Sequence, residues 1–232
     1  MKIQSYNEFN SSASVDSLGY GNEQIEHRLS YTKGAEPDVI RAAKDANIFN
    51  ALMNQYAPKN SSKTSINELT EMVKLQSQLT DEDIKFIQRA ESDMVKLIAE
   101  YLKEIGIDED HTPTMERIAK YTDPLLYLLK NHYNRPRPHQ LARVLNVDMF
   151  PVIATSAGSA SYPSGHALDS FCFAAIISDL HPEHRTEIDA FCAKIAETRI
   201  KAGVHYRSDH DFSKEIAKIL FDSGVLKIEL FT

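Results

Sequence analysis

The chain has 232 residues, of which 42% are hydrophobic and 25% are charged, a composition typical of a globular protein with a sizeable core. Its formal net charge of -7 argues against general affinity for nucleic acid, so a local cluster of cations must bind any anionic substrate. No apolar stretch reaches the roughly 20 residues that cross a bilayer, and the first residues lack the apolar run of a secretory signal, so we predict a soluble, cytoplasmic protein without a membrane span.

The first third of the chain predicts an irregular arm followed by helices. Residues 1–35 are rich in Ser, Asn, Gly and charge and show no sustained period, which is typical of an irregular N-terminal arm. Apolar residues then recur at helical spacing over 37–58 and again over 66–79. Thr80 is a typical N-cap, and we expect a longer helix to follow it and to end before Gly106.

The remainder predicts more helices, so that 36–232 form a single all-α domain. A helix is expected over 112–131, with Pro124 bending or breaking it. Later helical stretches are predicted at 139–146, 165–180, 184–199 and 207–222. Patterns typical of strands are scarce, which indicates an all-α helical bundle. Cys172 and Cys192 lie on apolar helical faces and are expected to be reduced core thiols.

Three short stretches combine charged side chains with Pro or Gly at places where a helix should begin or end. In the first, Pro136 and Pro138 flank Arg137 and end the preceding helix, which holds the guanidinium near Lys130. A planar fork and a point charge are complementary groups for holding a tetrahedral oxyanion. Taken alone, an Arg-Pro pair is usually a helix terminator with a solvated side chain.

The second stretch places small residues at the start of a predicted helix. Ser164 and Gly165 would lie where free backbone N–H groups and the positive end of the helix dipole favour phosphate. Gly165 would let a ligand approach the backbone closely. His166, in the first turn, could face the same anion and pass a proton to a departing oxygen.

The third stretch pairs a histidine with a carboxylate. If His205 begins a helix, Asp209 lies one turn later on the same face and can accept a hydrogen bond from one ring nitrogen. The other nitrogen then stays basic, and a neutral, oriented imidazole is a competent nucleophile toward phosphorus. Isolated histidines are usually ordinary core or surface residues, so the three stretches carry weight only in combination.

In this order, the three stretches resemble the signature of the type 2 phosphatidic acid phosphatase superfamily, which includes class A acid phosphatases and vanadium-dependent haloperoxidases. The signature is Lys, six residues, Arg-Pro; then Pro-Ser-Gly-His; then Ser-Arg, five residues, His, three residues, Asp. The resemblance covers residues 130 to 209, and the matching positions are Lys130, Arg137-Pro138, Pro163-Ser164-Gly165-His166, Arg199, His205 and Asp209. Thr198 replaces the serine but keeps a hydroxyl, and His210-Asp211-Phe212 replace the small residues that often follow the final Asp.

The resemblance implies a role for each of these residues. Lys130, Arg137 and Arg199 would bind the phosphate oxygens, and Ser164 and Gly165 would add hydrogen bonds. In the reaction, His205 would be the nucleophile, His166 the general acid and Asp209 the residue that orients His205. The implied activity is hydrolysis of phosphoric monoesters through a phosphohistidine intermediate.

No metal ligand set and no cofactor are predicted, because three cations near a phosphate can replace a metal ion. The expected partner is a small phosphorylated substrate and not nucleic acid. The sequence is also compatible with a homo-oligomer. One alternative is a vanadate-dependent haloperoxidase, in which vanadate would be the cofactor; in a phosphatase, vanadate would instead inhibit. Another alternative is a catalytically idle phospho-ligand-binding or assembly protein.

Overall fold

The computed structural model describes residues 15–20, 36–152, 157–227 and 230–231. Within these ranges the chain is mostly helical and has no β-strand, which confirms the predicted all-α class. The helices are, in chain order, α1 (Asp38–Asp45), α2 (Phe49–Met53), α3 (Lys63–Gln76), α4 (Asp81–Ser92), α5 (Met94–Glu104), α6 (Thr112–Tyr133), α7 (Pro138–Val144), α8 (Gly165–Leu180), α9 (Arg185–Lys201) and α10 (Arg207–Asp222), with a 3₁₀ turn at Pro182–His184.

Helix α8 lies at the centre of the bundle. It packs most extensively against α9 and α10, and it also contacts α6. Its apolar side chains lie all around the helix, as expected for a helix covered on every side, and Phe173, Ile176 and Ile177 are fully buried. Cys172 and Cys192 are buried free thiols, as predicted. The central position of α8 fixes its N-terminus inside the protein.

Two helices predicted as continuous are each divided. The stretch 37–58 forms α1 and α2, because Asn47 adopts a left-handed conformation with φ 58° that no helix can continue through. The stretch after Thr80 forms α4 and α5, because Asp93 leaves helical geometry and its side chain accepts a hydrogen bond from the N–H of Lys96. The predicted cap at Thr80 is confirmed, and it forms a reciprocal capping box with Asp83.

Helix α6 continues through Pro124 without a break. It ends at Tyr133, where Asn134 adopts a left-handed conformation with φ 42° and turns the chain toward α7. Pro138 is the first residue of α7, a position where the missing N–H of proline has no cost. The end of α6 and the start of α7 therefore bracket the Arg-Pro-Arg-Pro segment tightly.

A short part of the predicted N-terminal arm packs against the helical domain. The side chain of Asn60 donates hydrogen bonds to the carbonyl oxygens of Val15 at 3.0 Å and Leu18 at 2.8 Å. Val15 is buried against Tyr206 and its neighbours. The rest of the arm predicted over 1–35 lies outside the described residues. Among the described helices, none is both long and apolar enough to cross a membrane.

Candidate active site

The three predicted stretches meet where α6 ends and α8 and α10 begin. The ammonium group of Lys130 donates a hydrogen bond to the carbonyl oxygen of Pro163 at 2.6 Å. The N–H of Ser164 donates to the carbonyl oxygen of Asp209 at 3.3 Å, and Arg137 donates to that of Val204 at 2.8 Å. These hydrogen bonds join the three stretches to one another and bring their charged side chains together.

The ring of His205 is held from both sides. Nδ1 lies 3.1 Å from Oδ2 of Asp209, and Nε2 lies 2.8 Å from Nη1 of Arg137. A carboxylate only accepts and a guanidinium only donates, so Nδ1 carries the proton and Nε2 presents its lone pair. Burial, followed by the charge of Arg137, lowers the pKa of His205 well below its usual value. The ring is therefore neutral at neutral pH.

Helix α10 starts at Arg207, as predicted for the stretch 207–222, and Tyr206 is its N-cap. His205 therefore precedes the helix, and the condition that it begins one is not met. Asp209 occupies the first turn, where its carboxylate accepts the N–H of Tyr206 at 2.9 Å while it also reaches back to His205. A carboxylate near a helix N-terminus is favourably placed, so one group caps the helix and orients the ring.

Two buried cations, Lys130 and Arg137, lie close enough to His205 for their charges to lower its pKa. Lys130 also donates to the carbonyl oxygen of Ala160 at 2.6 Å, and Arg137 donates through Nε to that of Ser159 at 2.7 Å. Burial, with a contribution from nearby Arg199, lowers the pKa of Arg137 to about 10, which leaves it charged at neutral pH. These carbonyl contacts fix the directions of the Lys130 and Arg137 side chains.

The start of α8 supplies hydrogen-bond donors at the same place. Ser164 is the N-cap, and its Oγ is buried and has no hydrogen-bond partner in the part of the chain that the structure describes. Gly165 is the first helical residue, and a Cβ there would lie 3.1 Å from Cδ2 of Leu126. Gly165 therefore also allows α6 and α8 to pack closely. An unpartnered buried hydroxyl beside free helical N–H groups is an arrangement suited to an anion.

The comparisons with known proteins match this region of the chain to a protein family. The family model described as the PAP2 superfamily matches residues 121–213, which contain all three stretches. The predicted resemblance is confirmed. The comparison with curated proteins gives no match.

One solved structure shares its fold with this chain beyond the matched segment. The first bacterial vanadium-dependent iodoperoxidase is similar with a TM-score of 0.58 at 14% identity, over 97% of this chain and 63% of that one. The chain thus spans less than two thirds of the length of that protein. A transmembrane PAP2-type phosphatidylglycerolphosphate phosphatase from Bacillus subtilis is also similar, with a TM-score of 0.49 at 15% identity, over 82% of this chain and 94% of that one.

Arg135, which is not one of the PAP2 signature positions, binds the carboxylate oxygen of Asp209 that does not contact His205. It donates to Oδ1 of Asp209 at 2.7 Å and to Oε2 of Glu68 at 3.2 Å, and its guanidinium lies 3.8 Å from the ring centroid of Tyr206. Burial alone would raise the pKa of Asp209, but the charge of Arg135 and hydrogen bonds from His205 and Ser161 hold it below its usual value. Like Arg137, Arg135 is followed by a proline, and this repeat of Arg-Pro is the sequence signal that could have identified it.

Glu91, near the end of α4 and also outside the PAP2 signature, joins Arg199 to His166. Its carboxylate accepts a hydrogen bond from Arg199 and lies 3.8 Å from Nε2 of His166. Burial and the charges of Arg199 and Arg137 lower the pKa of His166 to about 4, although Glu91 acts in the opposite direction. Nothing in the local sequence distinguishes this glutamate from the other acidic residues of its helix.

Proposed function

We propose that this protein hydrolyses phosphoric monoesters of small molecules, with His205 as the nucleophile and without a metal ion at the reacting phosphate. One observation carries the proposal. Nε2 of His205 is held unprotonated, as the acceptor of a hydrogen bond from Arg137, while Asp209 accepts a hydrogen bond from the N–H on the opposite nitrogen. An imidazole held in this tautomer is ready to form a bond with an electrophile, and the carboxylate stabilises the positive charge that develops.

The surrounding groups fit a phosphate. In the proposal, Lys130, Arg137 and Arg199 bind the non-bridging oxygens, and the charge that grows on these oxygens in the transition state is stabilised most. Ser164 gains a partner for its buried hydroxyl, and the N–H of Gly165 adds the partial positive charge of the α8 N-terminus. Each positioned donor of this kind contributes on the order of 3 kcal/mol to transition-state stabilisation.

The proposed reaction has two displacements. The lone pair on Nε2 of His205 attacks phosphorus, the bond to the ester oxygen breaks, and His166 gives that oxygen a proton, so that an alcohol leaves. The neutral His166 then takes a proton from water, the resulting hydroxide attacks phosphorus, and the P–N bond breaks. Inorganic phosphate leaves, and His205 and His166 return to their starting states.

The role of His166 predicts a pH dependence. In the absence of substrate its pKa is about 4, so the ring is neutral at neutral pH. A bound phosphate brings negative charge beside Arg199 and Arg137 and therefore raises the pKa of His166, which lets it serve as an acid. Because the acid must be protonated, kcat falls as the pH rises through the pKa of His166 in the substrate complex.

Glu91→Gln is expected to shift the alkaline limb of the kcat profile to lower pH. The carboxylate raises the pKa of His166 and neutralises Arg199, so its removal lowers the pKa of His166 by both routes. The measurement is kcat against pH at saturating substrate. Glu82→Gln, an exposed position on the same helix, is the control and should leave the profile in place. An alkaline limb that stays fixed or moves to higher pH would contradict this role of Glu91.

The proposed function is tested by phosphate release from a generic aryl phosphate with a metal chelator present. We expect release to continue in the chelator, and we expect vanadate to inhibit competitively because it copies the five-coordinate phosphoryl transition state. Loss of release on chelation, from protein whose circular dichroism spectrum shows that it remains folded, would indicate a metal enzyme. Oxidation of halide by peroxide in the presence of vanadate, with no phosphate release, would identify a haloperoxidase instead. Phosphate binding without release would identify an idle binder.

A further inference from the structure

A second group of titratable side chains lies at the opposite ends of the two helices that lead to the active site. His111 is the N-cap of α6 and His181 is the C-cap of α8. Their Nε2 atoms are 2.8 Å apart, and Oε2 of Glu109 lies 3.8 Å from each of them. The two histidines are 70 positions apart in sequence, so the fold itself brings His181 to the Glu109 and His111 side chains.

The three distances fit a metal ion bound between these atoms. A triangle with sides of 2.8, 3.8 and 3.8 Å has a circumscribed circle of radius about 2.0 Å, which matches Zn–N and Zn–O bond lengths of roughly 2.0–2.2 Å. The two imidazole planes cross at 79°, so the rings do not stack on each other. All ligand atoms of this group lie within 4.8 Å of one another.

A hydrogen bond between the two histidines is the simpler explanation of their contact. It accounts for the 2.8 Å separation but leaves two features unexplained. Glu109 is 69% exposed and nevertheless approaches both Nε2 atoms equally. Glu183 lies on the Nδ1 side of His181, with Oε1 3.9 Å away; this is longer than a hydrogen bond, but it is the side where histidine ligands of metal ions usually have a carboxylate.

The chemistry of the group selects the class of ion. Two imidazoles and one carboxylate favour a divalent transition ion, whereas Mg²⁺ and Ca²⁺ prefer oxygen ligands alone. We infer that Glu109, His111 and His181 bind one zinc-like divalent ion per chain, with water completing the coordination.

The inferred role of this ion is structural. Along α6, 19 residues separate His111 from Lys130, a distance of roughly 28 Å at the helical rise. Along α8, His181 lies about 22 Å from His166 by the same measure. The ion would tie the segment before α6 to the end of α8 and take no part in phosphate chemistry. This inference therefore stands or fails independently of the proposed phosphatase activity.

Zinc binding by untagged, chelator-treated protein tests the inference. Equilibrium dialysis against Zn²⁺ with elemental analysis should find one tightly bound ion per chain. Melting temperature should rise by roughly 5–10 °C when free Zn²⁺ is about 100 times its dissociation constant. His181→Gln and His111→Gln should each weaken this binding by about 100-fold or more, and Glu109→Gln should weaken it less.

His184→Gln is the matched control, because it removes a neighbouring histidine outside the triangle and should leave zinc binding unchanged. Since His111 is buried, its variant must be checked for folding by circular dichroism; the partly exposed His181 and the exposed Glu109 provide independent tests. If wild type binds Zn²⁺ no more tightly than His181→Gln, or if Zn²⁺ leaves its melting temperature unchanged, the contact is a histidine–histidine hydrogen bond alone and the inference is wrong.

Discussion

His205→Ala is expected to lower kcat for phosphate release by at least about 10³-fold, because the attacking nitrogen is removed while the phosphate-binding groups remain. The fold should persist. Arg137 loses one acceptor but still donates to the carbonyl oxygens of Val204 and Ser159. The variant should therefore still bind inorganic phosphate or vanadate, which separates loss of chemistry from loss of the site. Steady-state kinetics and vanadate titration monitored by calorimetry provide the two readouts.

His184→Ala serves as the control for this variant, because it removes a histidine at the far end of α8. Its kcat should match that of the wild type. Retention of wild-type kcat by His205→Ala would mean that another group attacks phosphorus. Loss of both activity and anion binding, together with a changed circular dichroism spectrum, would show that the substitution disrupts the fold; His205→Gln, which preserves more of the side-chain volume, would then supply the test.

Asp209→Asn is also expected to have a large effect, lowering kcat by about 10³–10⁴-fold, as replacing the orienting carboxylate does in serine-type triads. Both Arg135 and Nδ1–H of His205 donate to this carboxylate. An amide offers one accepting oxygen and one donating NH₂ group, so one of these two donors must face another donor. Either the histidine tautomer changes, or Arg135 loses its partner.

The same substitution should also destabilise the protein. Arg135 is buried, and removing one partner of a buried ion pair costs about 3–5 kcal/mol, an upper figure here because Glu68 remains beside it. Urea unfolding measures the loss of stability, and steady-state kinetics measure the loss of kcat. Asp211→Asn, an exposed carboxylate two positions later on α10, is the control for both. Wild-type kcat in Asp209→Asn would show that the carboxylate does not orient the nucleophile.

Much of the site could be predicted from the sequence because its residues stand at helix ends that Pro, Gly and Ser mark clearly. Ser164 and Gly165 begin α8 as expected, and the i, i+4 spacing of His205 and Asp209 brings the two side chains together even though His205 precedes the helix. Helix starts and i, i+4 pairs of this kind can be predicted from the local sequence, because helices tend to begin at capping residues.

The features that sequence reasoning missed depend on contacts between distant segments. Glu91 meets Arg199 across 108 positions, and Arg135 meets Glu68 across 67, so no local pattern indicates either pair. The breaks at Asn47 and Asp93 were missed for a different reason. Apolar periodicity continues across both residues, whereas the backbone follows the turn and capping preferences of Asn and Asp.

The central claim is that phosphorus is bonded to Nε2 of His205 during turnover. Rapid quenching of the enzyme with a phosphate-labelled aryl phosphate, followed by mass spectrometry of the digested chain, measures this directly. We expect an acid-labile, base-stable phosphoryl group on the peptide that contains His205, formed at least as fast as kcat and absent from His205→Ala. Turnover without any phosphoryl-enzyme under conditions that preserve phosphohistidine, or a label on another residue, would contradict the mechanism.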